Sequence, residues 1–151
     1  MGFFLDSSNK IWLATSNTGI CRINIENGQY IHFSEEQKGS SHILHNMVHC
    51  LAEDSIGRVW MGTENGLCVW SPDTEKFTYQ QFDLTNPDGI NTNPIYNAFK
   101  DRCGNIWFGS YFGGINLWCS NSRFFKKWKA GTGKRDLSGK VVSCLVEDQK
   151  G

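Results

Sequence analysis

Several features are scarce in this chain, and each scarcity excludes a class. There are three prolines in 151 residues, and Lys+Arg and Asp+Glu both number 15. A neutral chain has no overall field to gather nucleic acid or a membrane surface. No apolar run approaches the roughly 20 residues of a membrane-spanning helix. The N-terminus "MGFFLDSSNK" lacks a basic region and a long apolar core, so no signal peptide is expected there. Cys-x-x-Cys does not occur. The six cysteines, Cys21, Cys50, Cys68, Cys103, Cys119 and Cys144, fall below the roughly 8–10% of a disulfide-built scaffold. They are expected as small apolar residues of strands. Disorder is excluded by 39% hydrophobic and 20% charged residues.

Glycine and aromatics are abundant: sixteen Gly, and 13% Phe, Trp and Tyr. They recur together. Aligning Trp12, Trp60 and Trp107 gives spacings of 48 and 47 residues. Six residues before each Trp stands an acid, Asp6, Asp54 and Asp101, and Asp148 continues the series 47 residues later. Two residues after each Trp comes Ala14, Gly62 or Gly109, then the hydroxyls Thr15, Thr63 and Ser110. Gly19, Gly66 and Gly114 follow, each before Ile or Leu. Aliphatics stand eleven residues before the later acids, at Ile43, Ile90 and Leu137.

Such a period is the signature of a repeat architecture. Each unit reads as four short strands, with tight turns between them. Asp suits the start of a type I turn, and Gly57 or Gly104 the following left-handed residue; Asn9 is the next best choice. Strand side chains alternate between faces, yet "RVWMGT" is apolar on both. A small sheet with two apolar faces must be covered twice, and radial stacking of like sheets does this. The expected fold is therefore an all-β propeller of four-stranded antiparallel blades. It comprises repeats near 1–45, 46–94 and 95–141, plus the first strand of a fourth at 142–151. Trp12, Trp60 and Trp107 are expected to be buried between blades, with Gly62 and Gly109 allowing the sheets to approach. A closed propeller has 4–8 blades, so a segment of a larger propeller is expected.

"AEDSIGRVWMGTENGLCVWSPDTEKFTY", "FKDRCGNIWFGSYFGGINLW" and "LDSSNKIWLATSNTGICRIN" resemble the two-component regulator propeller repeat. That family's pattern is an acidic pair, Gly, Trp, Gly-Thr, Gly-Leu, an aspartate-containing turn and an aromatic strand. The resemblance covers essentially the whole chain. It departs at Asn9 and Ala14, where glycine is usual, and in the third strand. There "CRIN", "CVWS" and "NLWC" replace Asn-Arg-Tyr-Asp. The resemblance implies a periplasmic sensor propeller of a Bacteroidetes-type hybrid two-component histidine kinase. It implies a carbohydrate ligand, with the membrane helix and kinase in other parts of the parent. The alternatives are a streptogramin-lyase-like enzyme, which would need a rim histidine with an acid beside it, or a protein-docking scaffold.

Catalytic, metal and cofactor sites are not expected. His42, His45, His49 and Cys50 have tempting zinc spacings, but His49 and Cys50 are neighbours on a strand and point to opposite faces. "KAGTGKRD" lacks the first glycine and the hydroxyl of a phosphate loop. The segments that do not recur are more informative, because variable loops on a fixed scaffold carry binding. In a four-stranded meander the long connections between repeats share one rim with the short loops "SNT", "EN" and "YFG". The third connection gathers Lys126, Lys127, Trp128, Lys129, Lys134 and Arg135. Cations beside an aromatic suit an acidic or sulfated oligosaccharide. The expected partners are such a ligand and the rest of the propeller or another copy of the chain, with no nucleic acid.

Overall fold

A computed structural model describes residues 2–119 and 124–149. It contains three four-stranded antiparallel sheets in chain order. The first holds β1 (Phe3–Leu5), β2 (Lys10–Ala14), β3 (Ile20–Asn24) and β4 (Tyr30–Phe33). The second holds β5 (Val48–Glu53), β6 (Val59–Thr63), β7 (Gly66–Ser71) and β8 (Lys76–Gln80). The third holds β9 (Ile95–Lys100), β10 (Ile106–Ser110), β11 (Ile115–Trp118) and β12 (Phe125–Trp128). Each sheet is a simple up-and-down meander. Among the described residues the helical structure is one short 3-10 turn, Gly39–Ser41.

The repeat seen in the sequence is a repeat of register. Trp12 stands between Phe4 and Arg22, Trp60 between Ala52 and Val69, and Trp107 between Phe99 and Leu117. The turn before each Trp is built alike. Asn9, Gly57 and Gly104 have φ of 58°, 80° and 81°. Their amides bond back to the carbonyls of Asp6, Asp54 and Asp101. Asn9 thus does the glycine's work in the first copy, because asparagine tolerates the left-handed region better than other side chains.

The recurring acids do more than start a turn. Asp6 Oδ1 accepts from the Ser8 and Lys10 amides at 2.9 Å each, and its Oδ2 accepts the Trp12 indole N–H at 2.8 Å. Asp54 repeats this with the Trp60 indole at 3.0 Å, and Asp101 with that of Trp107 at 2.8 Å. The hydroxyl and glycine form a second device. Thr15, Thr63 and Ser110 donate to the carbonyls of Gly19, Gly66 and Gly114 at 2.7, 2.9 and 2.8 Å. At Gly66, with φ 115°, a Cβ would lie 2.5 Å from the Gln80 carbonyl oxygen, so only glycine closes that turn.

The first two anchored indoles then pack on the next sheet. Trp12 lies 5.1 Å from Trp70, and Trp60 lies 5.0 Å from Trp118, centroid to centroid. Trp70 and Trp118 stand on the same rung of their sheets, opposite Val59 and Ile106. The sheets approach where the small residue predicted it: a Cβ on Gly62 would meet the Ile95 carbonyl oxygen of the next sheet at 2.7 Å. Two apolar clusters result. One lies between the first and second sheets around Trp12, Phe33 and Met61, the other between the second and third around Trp60, Phe108 and Phe125.

Two expectations fail at the far edge. Trp107 is half-buried, unlike Trp12 and Trp60, because no fourth sheet lies on it among the described residues. It stacks instead on Trp128 of its own sheet, 5.5 Å away. Residues 142–149, expected as a strand, are irregular, and 150 and 151 lie outside the described residues. The segment still follows the path of a first strand. Val142 N donates to Ser110 O at 3.2 Å, as Val48 N does to Thr15 O at 3.4 Å. Among the described residues no neighbouring strand completes a ladder on it, and an unpaired strand is not held extended. A cleft of about 390 Å³ remains between it and Trp107, Phe99 and Ile115. Asp148, fourth of the acids, is exposed on that segment. The cysteines also divide: Cys68 is buried and its thiol pushed up to about 12 by desolvation, whereas Cys103 and Cys144 are exposed.

Trp60→Ala is expected to cost about 3–5 kcal/mol, as for a large core truncation. Trp107→Ala should cost about 1–3 kcal/mol. Urea unfolding of the two variants measures the difference, and equal costs would show that the blade interface does not bury the indole as described. The acid clasp predicts a pH dependence. Burial pushes the Asp101 carboxyl up, but hydrogen bonds from Asn105 and Trp107 outweigh it and hold it below the ordinary carboxylate value. A depressed folded-state value stabilises the fold at pH above the unfolded value, about 3.9, and that stability is lost as pH falls through the folded one. The melting temperature of Asp101→Asn should therefore trail the wild type at pH 7 and converge on it as pH falls through the folded-state value. A gap that stays constant down to pH 2 contradicts the clasp.

Candidate functional site

The long connections are pinned rather than loose. Ile43 and Ile90 are buried, and Leu137 is half-buried near Gly114. The Gly19 amide donates to Asn46 O at 2.9 Å and the Gly114 amide to Lys140 O at 3.2 Å. Asn91 Nδ2 donates to the Gly113 carbonyl. Long and short loops therefore meet on one rim, as the meander requires, and that rim carries the residues that differ between copies.

The basic connection is part strand and part loop. Lys126, Lys127 and Trp128 lie on β12, and alternation sends Lys127 to the face opposite its two neighbours. The Lys127 ammonium donates to the Pro87 carbonyl. Trp128 is half-buried in its stack on Trp107, and Lys129 is exposed. Lys134 and Arg135 are exposed in the loop that follows. That loop is shaped by Asp136, whose carboxylate accepts the Gly133 amide at 2.8 Å, and by a bridge between Ala130 and Leu137. The rim thus offers Lys134 and Arg135 to solvent, whereas the indole is engaged elsewhere.

A second grouping was not legible in the sequence. It lies where the rim meets β5 and β9, the first strands of the second and third sheets, which pack side by side. His49 on β5 stacks on Tyr96 of β9, with centroids 4.0 Å apart and planes 16° from parallel. Glu64, in the short β6–β7 turn, holds both: its Oε1 lies 2.9 Å from His49 Nε2 and accepts the Tyr96 hydroxyl at 2.7 Å. Tyr111, in the β10–β11 turn, stands 5.1 Å from Tyr96 and 4.4 Å from Phe112. The histidine therefore does have an acid beside it, across a hairpin and not along the sequence.

These residues occupy repeating positions with non-repeating chemistry. His49 and Tyr96 are equivalent on their strands, both next to the residue that starts the strand. Glu64 and Tyr111 are equivalent too, each four residues after its Trp, where the first copy has Ser16. Burial pushes the Glu64 carboxyl up, but the bonds from Tyr96 and His49 outweigh it and leave it below the usual range. The Tyr96 phenol is raised, first by that same bond to Glu64. The corner is thus a fixed anion flanked by aromatic faces. Among the described residues no group of three acid, histidine or cysteine side chains is placed to hold a metal.

Residues 42–65 and 89–112 match the two component regulator propeller family model. An 85-residue stretch, 53% of the chain, is 36% identical to histidine kinase P4 of Formosa agariphila and covers 6% of it. The fold is similar to an extracellular domain assigned to a hybrid two component system of B. thetaiotaomicron. The TM-score is 0.64 at 29% identity, over 80% of this chain and 15% of that one. A second such domain from the same organism gives 0.73 at 18% identity, over 97% and 17%. Virginiamycin B lyase from Staphylococcus aureus gives 0.61 at 18% identity, over 87% and 41%. The two likenesses at 18% carry the fold alone. The chain spans less than a fifth of the length of the two-component relatives it matches. The family match falls on two successive copies of the repeat, residues 42–65 and 89–112, which are similar to the two component regulator propeller, and the three sheets, with Trp12 and Trp60 closing one on the next, are blades of the β-propeller kind.

Proposed function

We propose that this chain is a ligand-sensing segment of the extracellular, periplasmic part of a hybrid two-component sensor histidine kinase. It detects an oligosaccharide and passes the signal to a kinase elsewhere in its parent protein. The observation that carries the reading is the division of labour between the rims. The turns that begin at Asp6, Asp54 and Asp101 are near copies, whereas the rim carrying the long loops differs in every blade. A scaffold that repeats its support and varies one rim has the form of a binding module. The 36% identity to a histidine kinase and the 29% identity to an extracellular domain of a two component system supply the context.

The lyase alternative has one observation in its favour, the His49–Glu64 pair. Against it, the imidazole is stacked on Tyr96 and its side chain is only 16% exposed, so it does not present itself to a substrate as a base would. We read the segment as a binder without catalysis. The outer face of the first sheet, opposite Trp12, exposes Phe3, Leu5, Leu13 and Tyr30, and the cleft beside Trp107 lies at the other end. Both faces fit further blades of the parent or a second copy of the chain.

Calorimetry tests the ligand. Oligogalacturonate and heparin-derived oligosaccharides should bind more weakly to a Lys134→Ala/Arg135→Ala double variant than to the wild type. The expected loss is about tenfold or more, since each charge-assisted hydrogen bond is worth about 1.5–3 kcal/mol. The difference should shrink at high salt, where the Debye length falls to about 3 Å. Equal affinities in both proteins would remove the basic loop from the site. No binding of any acidic or neutral oligosaccharide would overturn the sensing of carbohydrate.

A further inference from the structure

We propose that the corner formed by Glu64, Tyr96, Tyr111 and Phe112 is a binding subsite for an uncharged pyranose unit, read across the seam between the second and third blades. The inference rests on the reading of the chain as an oligosaccharide binder and adds where one unit of the ligand sits and what recognises it.

The carboxylate is the first half of the argument. Glu64 is neither buried nor loose: its side chain is 30% exposed, and Oε1 is held by His49 at 2.9 Å and by Tyr96 at 2.7 Å. A carboxylate has about four lone-pair sites, and those two contacts leave Oε2 to accept further donors. Two vicinal sugar hydroxyls present donors at the right spacing for one carboxylate. A carboxylate or sulfate on the ligand would face a like charge there and be disfavoured. The corner and the basic loop therefore select different parts of a chain: Lys134 and Arg135 suit acidic substituents, and Glu64 suits an unsubstituted ring.

The aromatic faces are the second half. Tyr111 is 40% and Phe112 63% exposed, in a turn otherwise made of glycine. Large rings left in water at a turn cost burial that a ligand restores, at roughly 25 cal/mol per Å² covered. Their geometry is fixed. Phe112 meets Tyr111 edge-on at 81°, and Tyr111 lies 5.1 Å from Tyr96, whose hydroxyl is tied to Glu64. The C–H face of a pyranose is apolar and flat, and fits such a platform while its hydroxyl edge reaches the acid. In the equivalent positions the first copy has Ser16, and the segment following the third sheet has Ser143, so neither repeats the combination.

Saturation-transfer NMR and calorimetry on the chain test the subsite, with cellohexaose and laminarihexaose as neutral probes and oligogalacturonate as the acidic one. Glu64→Gln keeps an acceptor for the Tyr96 hydroxyl, and Tyr111→Ala alters an exposed turn; unchanged circular dichroism checks that each folds. Both variants are expected to lose about tenfold or more in affinity for the neutral probe that binds. Both are expected to leave oligogalacturonate binding, where present, within about twofold. Saturation transfer should reach the ring C–H protons of the neutral sugar and disappear in Tyr111→Ala. Neutral binding that survives both substitutions overturns the subsite while leaving carbohydrate sensing intact. Absence of binding by all three probes overturns that broader reading, and the subsite falls with it.

Discussion

The indole N–H of each recurring Trp is tied to a carboxylate six residues earlier, and the rest of the architecture hangs on that bond. The acid is itself fixed by the amides of its own turn, so the Trp ring is set relative to the first two strands before any neighbour arrives. A buried indole whose N–H finds no acceptor would lose the cost of desolvating that donor, about 1–3 kcal/mol. With the acceptor supplied locally, the whole ring becomes available as apolar surface for the next sheet. Trp12 and Trp60 then meet Trp70 and Trp118, so the orientation at which the blades stack depends on these side chains as well as on the backbone bonds at the rim. This is why a repeat of 47 or 48 residues is enough to specify the fold: each unit carries its own anchor and presents one face to its successor.

The sequence showed this frame because the frame repeats. Asp6, Trp12, Asn9 and Thr15 could be matched with their later counterparts, and a shared position implies a shared physical task. Even there the reading was incomplete. In the sequence the acids read as turn starters, and their bond to the indole is not visible there, since a separation of six along the chain says nothing about two side chains across a hairpin. The rim was less legible still. His49 and Glu64 are fifteen residues apart, and Tyr96 reaches Glu64 from another blade, 32 residues away. Recurrence cannot reveal residues whose value lies in not recurring. In the basic stretch 126–135 adjacency in sequence hides the effect of strand alternation, which sends Lys127 to the face opposite Lys126 and Trp128.

The seams between blades are not equivalent, which bears on how such a module could signal. At the rim away from the long loops, the Ser7 amide and hydroxyl donate to the Glu53 carboxylate of the second sheet, at 3.0 Å and 2.6 Å. Beyond the third sheet, Arg102 makes the corresponding contacts to Glu147, with an ion pair at 3.4 Å. At the seam between the second and third sheets the position of that acid is occupied by Lys100, which cannot accept a hydrogen bond from the turn at Ser55. There a polar tie lies on the opposite rim, where Glu64 of one sheet holds Tyr96 of the next. The acid contact at the far rim, present at the neighbouring seams, is thus absent at this one among the described residues.

A ligand can shift a conformational equilibrium only by as much as it prefers one state over another. Contacts confined to a single rigid blade change little between states, because a four-stranded meander with a packed core has no alternative arrangement close in energy. Contacts that span a seam are different, since the relative placement of two sheets depends on side chains at their boundary. Glu64 belongs to the second sheet, and Tyr96, Tyr111 and Phe112 to the third. A ligand in the proposed subsite, held by all of them, would add its contacts to the Glu64–Tyr96 bond across this seam. Coupling of 1–3 kcal/mol, the usual scale for communication between sites, is the magnitude of one or two such hydrogen bonds. The proposed subsite thus bridges two sheets at a blade boundary and is not confined to one blade.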